Sequence, residues 1–294
     1  MIINTSEISV LKLQALMAGA IAPRPIALVS TIDKSGNPNL SPFSFYNSFS
    51  INPPILVFSP SRRVRDNSIK HTYENILEVP EVSVNVVNYE IVEQVSLSST
   101  EYEKGVNEFI KSGLTPLKSE LIKPFGVKES PVRFECKVIN TIELGAEGGA
   151  GNLVICQILR VHISEEVLNQ EGLIDPHKID LVGRLGEDYY VRASGNAVFT
   201  VKKPLITKGI GFDALPDSIK NSKILTGNDL GKLANIEKIP EREAVIKFIK
   251  EVESFDFNAE EEVIHKKASE LLKQNEIISA WLYLLAHERG QIRV

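Results

Sequence analysis

The sequence has little of what staples, metallates or anchors a protein. Its two cysteines, Cys136 and Cys156, both sit in apolar, strand-like runs without C-x-x-C spacing. That argues against a disulfide framework and a zinc site, and it fits a reducing cytoplasm. The five histidines, His71, His162, His177, His265 and His287, show neither H-x-x-x-H nor H-x-H spacing, so no metal centre is expected. No apolar run reaches the roughly 20 residues that span a bilayer. The opening MIINTSEISVLKLQALM lacks a basic segment followed by a sustained apolar one, so neither membrane anchoring nor export is expected. Net charge is −5 with mixed signs. With no basic stripe to track a phosphate backbone, nucleic-acid binding is disfavoured. A G-x-S-x-G elbow and a G-x-G-x-x-G opening a helix are both missing.

What is present is enough apolar residue for a large core, 43% of 294 residues, and one unusual stretch. Asn39 to Phe58 reads NLSPFSFYNSFSINPPILVF, nearly uncharged, with Ser41, Ser44, Ser48 and Ser50 among Phe43, Phe45 and Phe49. Small side chains let a backbone approach a flat ligand closely, and Pro42 shapes the local turn and removes a competing donor. The same residues also suit an aromatic-rich strand pair in a barrel core. Before this stretch, Val10 to Met17 has helical character ending near Gly19, and Ile26 to Ile32 is a β-branched run. Asp33 to Asn37 is a hairpin turn that makes the two segments partner strands.

After Phe58, Arg62, Arg63, Arg65 and Lys70 place four cations within nine residues of an acidic chain. This reads either as a solvated loop entering a helix or as an anion clamp completed by Ser59, Ser61 and Thr72. Val82 to Val87 alternates as a strand, and Glu90 to Leu97 and Tyr102 to Gly113 read as helices. Val132 to Leu144 and Leu153 to Ile163 are two strands joined by the glycine-rich Gly145 to Asn152. No helix follows these glycines, so they form a hairpin tip or a lid, not a phosphate loop. The segment GRLGEDYYVR puts Arg184, Tyr189, Tyr190 and Arg192 in a loop that either recognises a ligand or seals a barrel end, and Ala197 to Val201 reads as a last strand.

From Asp213 the texture turns helical, over Pro216 to Leu225, Asp229 to Asn235, Glu241 to Glu253, Ala259 to Gln274 and Ile277 to Glu288. Thr226, Asn228 and Asn258 are candidate N-caps, Pro240 suits a first turn, and Gly290 falls past the last helix. This tail is a small appended bundle or a brace on the preceding domain.

No side-chain set here performs catalysis alone, which leaves chemistry borrowed from a cofactor. The succession PRPIALVSTID, NLSPFSFYNSFSINPP, SRRVRDNSIKHTYENI, GAEGGAGNLVICQILRVHI and GRLGEDYYVR resembles the flavin reductase-like family of FMN-binding split barrels, close to its flavoredoxin-like branch, over roughly residues 10 to 205. The resemblance implies an α+β protein: a mainly antiparallel FMN-binding split β-barrel over residues 1–210, then a helical C-terminal extension over 211–294. It implies that the main chain of Asn39, Leu40, Ser41, Pro42, Phe43 and Ser44 lies along the isoalloxazine, with Ser59, Arg62, Lys70 and Thr72 as phosphate ligands. Chemistry would occur at flavin N5, with NADH or NADPH as electron donor, in a homodimer with the flavin near the subunit interface. His71 stands where the frequent Lys-Asp-Thr pattern has an acid. Two alternatives stay open: an FMN-bound electron carrier serving a protein partner, and a non-catalytic barrel whose helical tail binds a partner.

Overall fold

A computed structural model describes residues 1–252, 256 and 259–291. The chain divides into two compact units, Met1–Phe199 and Thr200–Val294, a division at 199/200 where the sequence suggested 210/211.

The first unit is α+β. Its strands are β1 (Ala27–Ile32), β2 (Pro38–Phe43), β3 (Tyr46–Ile51), β4 (Pro54–Phe58), β5 (Glu81–Val86), the two-residue pair β6 (Pro116–Leu117) and β7 (Gly126–Val127), β8 (Val132–Glu143), β9 (Asn152–Ile163), β10 (Val182–Arg184) and β11 (Tyr190–Arg192). Seven of them form one antiparallel sheet in the order β2-β1-β5-β8-β9-β4-β3. The turn between β1 and β2 is closed by Asp33, whose Oδ1 accepts from the N–H groups of Ser35 and Asn37 at 2.9 Å each.

This sheet is rolled. Its two edge strands, β2 and β3, are consecutive in the chain, with only Ser44 and Phe45 between them. In a flat sheet β2 and β4 would lie about 24 Å apart, five inter-strand spacings. Instead the Phe43 and Phe58 ring centroids are 5.5 Å apart. One apolar cluster fills the inside of the roll, drawing Ala27 and Val29 from β1, Phe58 from β4, Val84 from β5, Cys136 from β8 and Cys156 from β9. Both cysteines are free and buried, and burial pushes both thiols up, so they pack as small apolar residues.

Strand β1 is buried on both faces, since the alternate residue Leu28 packs outward with Leu40, Ile91, Val95 and Phe109. These come from β2, from the 3-10 turn Tyr89–Ile91, and from helices α3 (Val92–Leu97) and α4 (Glu108–Ser112). Ahead of the sheet, α1 (Val10–Ala20) is capped by Ser9 and buries none of its residues. Helix α2 (His71–Glu78) is pinned to the first two strands by two buried polar contacts: Asn75 Nδ2 donates to Thr31 Oγ1 at 3.1 Å, and Asn39 Nδ2 donates to Thr72 Oγ1 at 2.9 Å.

Two sequence expectations fail locally. The helix expected over Tyr102 to Gly113 shrinks to α4, because Gly105 takes φ +89 and Asn107 caps only the turn that follows, its Oδ1 accepting from Phe109 N–H. The strand expected at Ala197 to Val201 is absent: Gly195 at φ +55 starts a 3-10 turn over Gly195–Ala197, and no ladder partner follows.

The second unit is helical: α5 (Asp217–Lys220), α6 (Gly227–Ala234), α7 (Arg242–Glu251), α8 (Glu261–Lys273) and α9 (Ile277–Gln291). Thr226 caps α6 in a reciprocal box with Asp229, which makes Asn228 an interior residue. Gly290 lies inside α9, and Asn258 falls outside the described residues. The core of the unit closes around Trp281, fully buried, whose Nε1–H donates to Leu233 O at 3.1 Å.

Candidate functional site

Strand β2 has only one ladder partner, so alternate residues turn their main-chain groups away from β1. The Leu40 N–H does so, donating to Glu108 Oε2 at 3.1 Å. By alternation Pro42 and Ser44 share that outward edge; Pro42 has no N–H to offer, which leaves Ser44 as the outward main-chain donor of this stretch.

Two spaces flank this strand. A small polar recess of about 30 Å³ is bounded by Asn39, Ser41, Lys70, Thr72, Ser99 and Glu101, with Arg63, His71 and Glu108 on its walls. A larger cleft of about 600 Å³ begins with Pro42, Phe43 and Ser44 and extends to Tyr89, Arg184 and Tyr190. Ser99 borders both, so they adjoin. Asn39, Ser41, Lys70 and Thr72 are thus brought together at the polar end and Pro42 to Ser44 at the wider one. Leu40 points instead into the apolar layer under α3 and α4.

Arg62 and Ser59 lie outside both spaces. Arg62 is bound to the β8–β9 hairpin tip: its N–H donates to Ala150 O at 2.8 Å, its carbonyl accepts from Gly149 N–H at 3.0 Å, and its guanidinium lies 3.9 Å from Glu143. Ser59 is buried beneath the same tip, so close that a Cβ on Gly151 would sit 2.8 Å from its Oγ. The glycine-rich turn therefore packs on the basic segment. Gly149, at φ +94, supplies a backbone that other residues rarely adopt.

Of the adjacent pair Arg62 and Arg63, it is Arg63 that joins Lys70 at the recess. Its Nε donates to Glu101 at 3.0 Å, and its Nη1 donates to Ser68 Oγ at 2.9 Å and Ile69 O at 2.7 Å. Glu101 also meets Arg65 at 3.0 Å and Lys70 at 3.4 Å. Burial opposes ionisation of Glu101, but the Arg63 bond and the charges of Lys70, Arg63 and Arg65 outweigh it and hold the carboxylate below its ordinary value. Lys70 thus finds its acid 31 residues away, not at position 71. His71 lies beside these cations; burial lowers its pKa, Glu74 opposes, and Arg63, Lys104 and Lys70 lower it further, which favours the neutral ring.

The loop Ser98 to Tyr102, which supplies five of the twelve residues lining the recess, was not singled out in the sequence. Its only signal was a run of small hydroxyl residues, Ser98, Ser99 and Thr100, directly after a helix. Among the described residues no cluster of three or more His, Cys, Asp or Glu could hold a metal, and no helix is long and apolar enough to cross a membrane.

Residues 18–178 match the flavin reductase like domain family, so this chain belongs to that family, while the helical unit lies beyond the matched residues. A protein of Aquifex aeolicus is 36% identical over 189 residues, spanning 64% of this chain and 94% of its own length. The YwrF protein of Bacillus subtilis is 31% identical and covers 69% of this chain and 98% of itself. Nitrilotriacetate monooxygenase component B from Bacillus cereus superposes with a TM-score of 0.64 at 29% identity, over 68% of this chain and 98% of that one. The 2-nitrobenzoate 2-nitroreductase of Pseudomonas fluorescens gives 0.60 at 26%, over 71% and 100%. Flavoredoxin of Desulfovibrio vulgaris gives 0.52 at 25%, over 61% and 90%. Family and neighbours together support a flavin-binding redox function.

Glu108 gives the site a pH signature. Burial raises its carboxyl above the ordinary 4.5, against the lowering effect of the Leu40 N–H. The folded protein therefore holds this proton more tightly than the unfolded chain. The stability it contributes is complete below pH 4.5 and is lost as pH climbs through the raised folded value. Glu108→Gln, whose amide oxygen can still accept from Leu40, should flatten that decline in urea titrations between pH 4.5 and 8; an unchanged slope would mean that Glu108 is not the group responsible.

Proposed function

We propose that the chain is an FMN-binding oxidoreductase of flavin reductase type, taking electrons from NADH or NADPH. The observation that carries this reading is the junction of a cation-lined polar recess with a wider, partly apolar cleft along one exposed strand edge, which suits a ligand with a phosphate at one end and a flat ring at the other. The cleft's volume, about 600 Å³, lies within the ~300–1,000 Å³ usual for small-molecule sites.

In this reading Lys70 and Arg63 neutralise the phosphate, and the hydroxyls of Ser41, Thr72 and Ser99 hydrogen-bond its oxygens. Thr72 Oγ1 already accepts from Asn39, which leaves its own O–H to donate. Asn39 thus orients a ligand-binding group, Ser59 and Arg62 support the loop carrying Arg63, and Leu40 fixes β2 in the layer behind. Pro42, Phe43 and Ser44 face the ring. Glu101 occupies the same cations that the phosphate needs, so its carboxylate must yield them when the phosphate arrives. A bound flavin would supply hydride and electron transfer at N5; the chain's own residues bind, orient and exclude water.

The likeness to flavoredoxin favours a second reading, a flavin-bound electron carrier working with a protein partner. Rapid mixing of the flavin-loaded protein with NADH or NADPH separates the two, since only a reductase is reduced directly. The cytoplasm remains the compartment that buried, unpaired thiols suit.

A preparation saturated with FMN should be yellow, and Lys70→Ala should weaken FMN much more than riboflavin. Only FMN carries the paired charge, and a charge-assisted bond is worth roughly 1.5–3 kcal/mol. Equal losses for the two ligands would remove Lys70 from the phosphate end.

The ring position is tested at Ser44. Ser44→Ala should leave FMN affinity within about tenfold, because one neutral hydrogen bond is worth ~0.5–1.5 kcal/mol. Ser44→Leu should cost far more by pushing the ring off the strand edge. If the folded Leu variant binds FMN as well as the Ala variant in fluorescence titrations, the ring does not lie at Ser44.

A homodimer is the proposed assembly, supported by the exposed apolar side chains of Phe49 and Ile51 on edge strand β3 and of Phe45 just before it. Light scattering should give ~65 kDa, twice the 32.6 kDa chain, for a two-fold contact. A 32.6 kDa species that still binds FMN would show the site complete within one chain.

A further inference from the structure

We infer that the wide cleft takes a second ligand beside the ring, a planar molecule ending in a carboxylate, and that Arg184 is the residue that binds this carboxylate. The inference extends the flavin reading, which accounts for the Pro42 to Ser44 wall, to the opposite wall formed by the β10–β11 hairpin.

Three arginines gather at this end of the cleft, and their partners differ. Arg192 is fully engaged: its Nε and Nη2 meet the two Asp180 oxygens at 2.8 and 2.7 Å, and its guanidinium lies 3.8 Å over the Tyr89 ring. Arg24 is buried, with four neutral acceptors: Ser44 Oγ and the carbonyls of Ala18, Ile21 and Leu185. Arg184 has neither arrangement. Among the described residues its guanidinium donates only a long bond to Tyr189 O, at 3.5 Å, and its nearest acid, Asp188, is 3.8 Å away and fully solvent-exposed. Yet the Arg184 side chain is only 26% exposed. A partly shielded guanidinium whose only carboxylate neighbour is loosely held and solvent-exposed has N–H donors to offer an anion entering the cleft.

Geometry narrows the anion's shape. The Arg184 guanidinium carbon lies 4.6 Å from the Tyr190 ring centroid, a cation–π contact that holds the group at the cleft wall. A guanidinium carries paired N–H groups along its edges, which receive a carboxylate bidentately. The field adds to this, because among the described residues Arg24 has no carboxylate within bridging distance and its charge sits next to that of Arg184. The cleft-lining acids Glu93 and Asp188 are exposed, where solvent screens them. Ile26, Val95, Val182 and Phe43 line the cleft, giving the body of the ligand an apolar surface to pack on.

The test is calorimetric titration of the full-length protein, FMN-loaded and flavin-free, with benzoate and with its neutral analogue benzamide. Benzoate should bind at least tenfold more tightly. Arg184→Gln should abolish that preference, and Arg184→Lys, which keeps the charge and loses the fork, should retain only part of it, with circular dichroism confirming that both variants are folded. Equal affinity for benzoate and benzamide in the unmodified protein, or a preference that survives in Arg184→Gln, overturns the inference. The two readings fail separately. A protein that takes up FMN without preferring benzoate refutes the Arg184 site alone. One that refuses FMN but keeps an Arg184-dependent preference refutes the flavin reading and supports the anion site.

Discussion

The arrangement of the first unit depends on a link too short for a flat sheet. Ser44 and Phe45 alone connect the two edge strands, so the sheet has to roll until its ends approach, and Phe43 meets Phe58 across the interior. The rolled interior takes the apolar side chains of six strands. β2 stays an edge, since no ladder joins it to β3, and an edge strand has main-chain groups to spare. One of these is secured by Glu108, one is removed by Pro42, and the remainder face the cleft. The same constraint thus closes the core and opens the site.

Electrostatics then divides the site into two ends of different character. At the polar end, Arg63, Arg65 and Lys70 converge on Glu101, so the cations are already compensated and an incoming anion exchanges partners instead of meeting bare charge. This exchange lowers the net gain from any phosphate, because the Glu101 contacts are given up as the new ones form. At the other end, Arg192 is neutralised by Asp180, and Arg184 lies against the Tyr190 ring without a comparably close acid. Two arginines eight residues apart in one hairpin therefore have different tasks, one holding the hairpin to the body of the unit and the other facing the cleft.

The sequence by itself determined the elements whose pattern is local. A β-branched run marked β1, alternation marked β5, two long strand-like runs marked β8 and β9, the Asp33 to Asn37 turn marked a hairpin, and Thr226 was one of the candidate caps at the start of α6, because each depends on neighbours within a few residues. The succession of motifs was enough to indicate the family and the flavin. Only the tertiary structure decided which cations face the recess: Arg62 and Arg63 are adjacent and chemically identical, and packing of the glycine-rich tip turns one toward Glu143 and leaves the other toward Glu101. It also decided that the acid beside Lys70 comes from the loop after α3, that Gly105 ends the helical reading of Tyr102 to Gly113, and that half the β2 amides are spent on β1. These outcomes depend on contacts between segments far apart in the chain, and no local pattern of residue types encodes which of two equivalent neighbours will find its partner there.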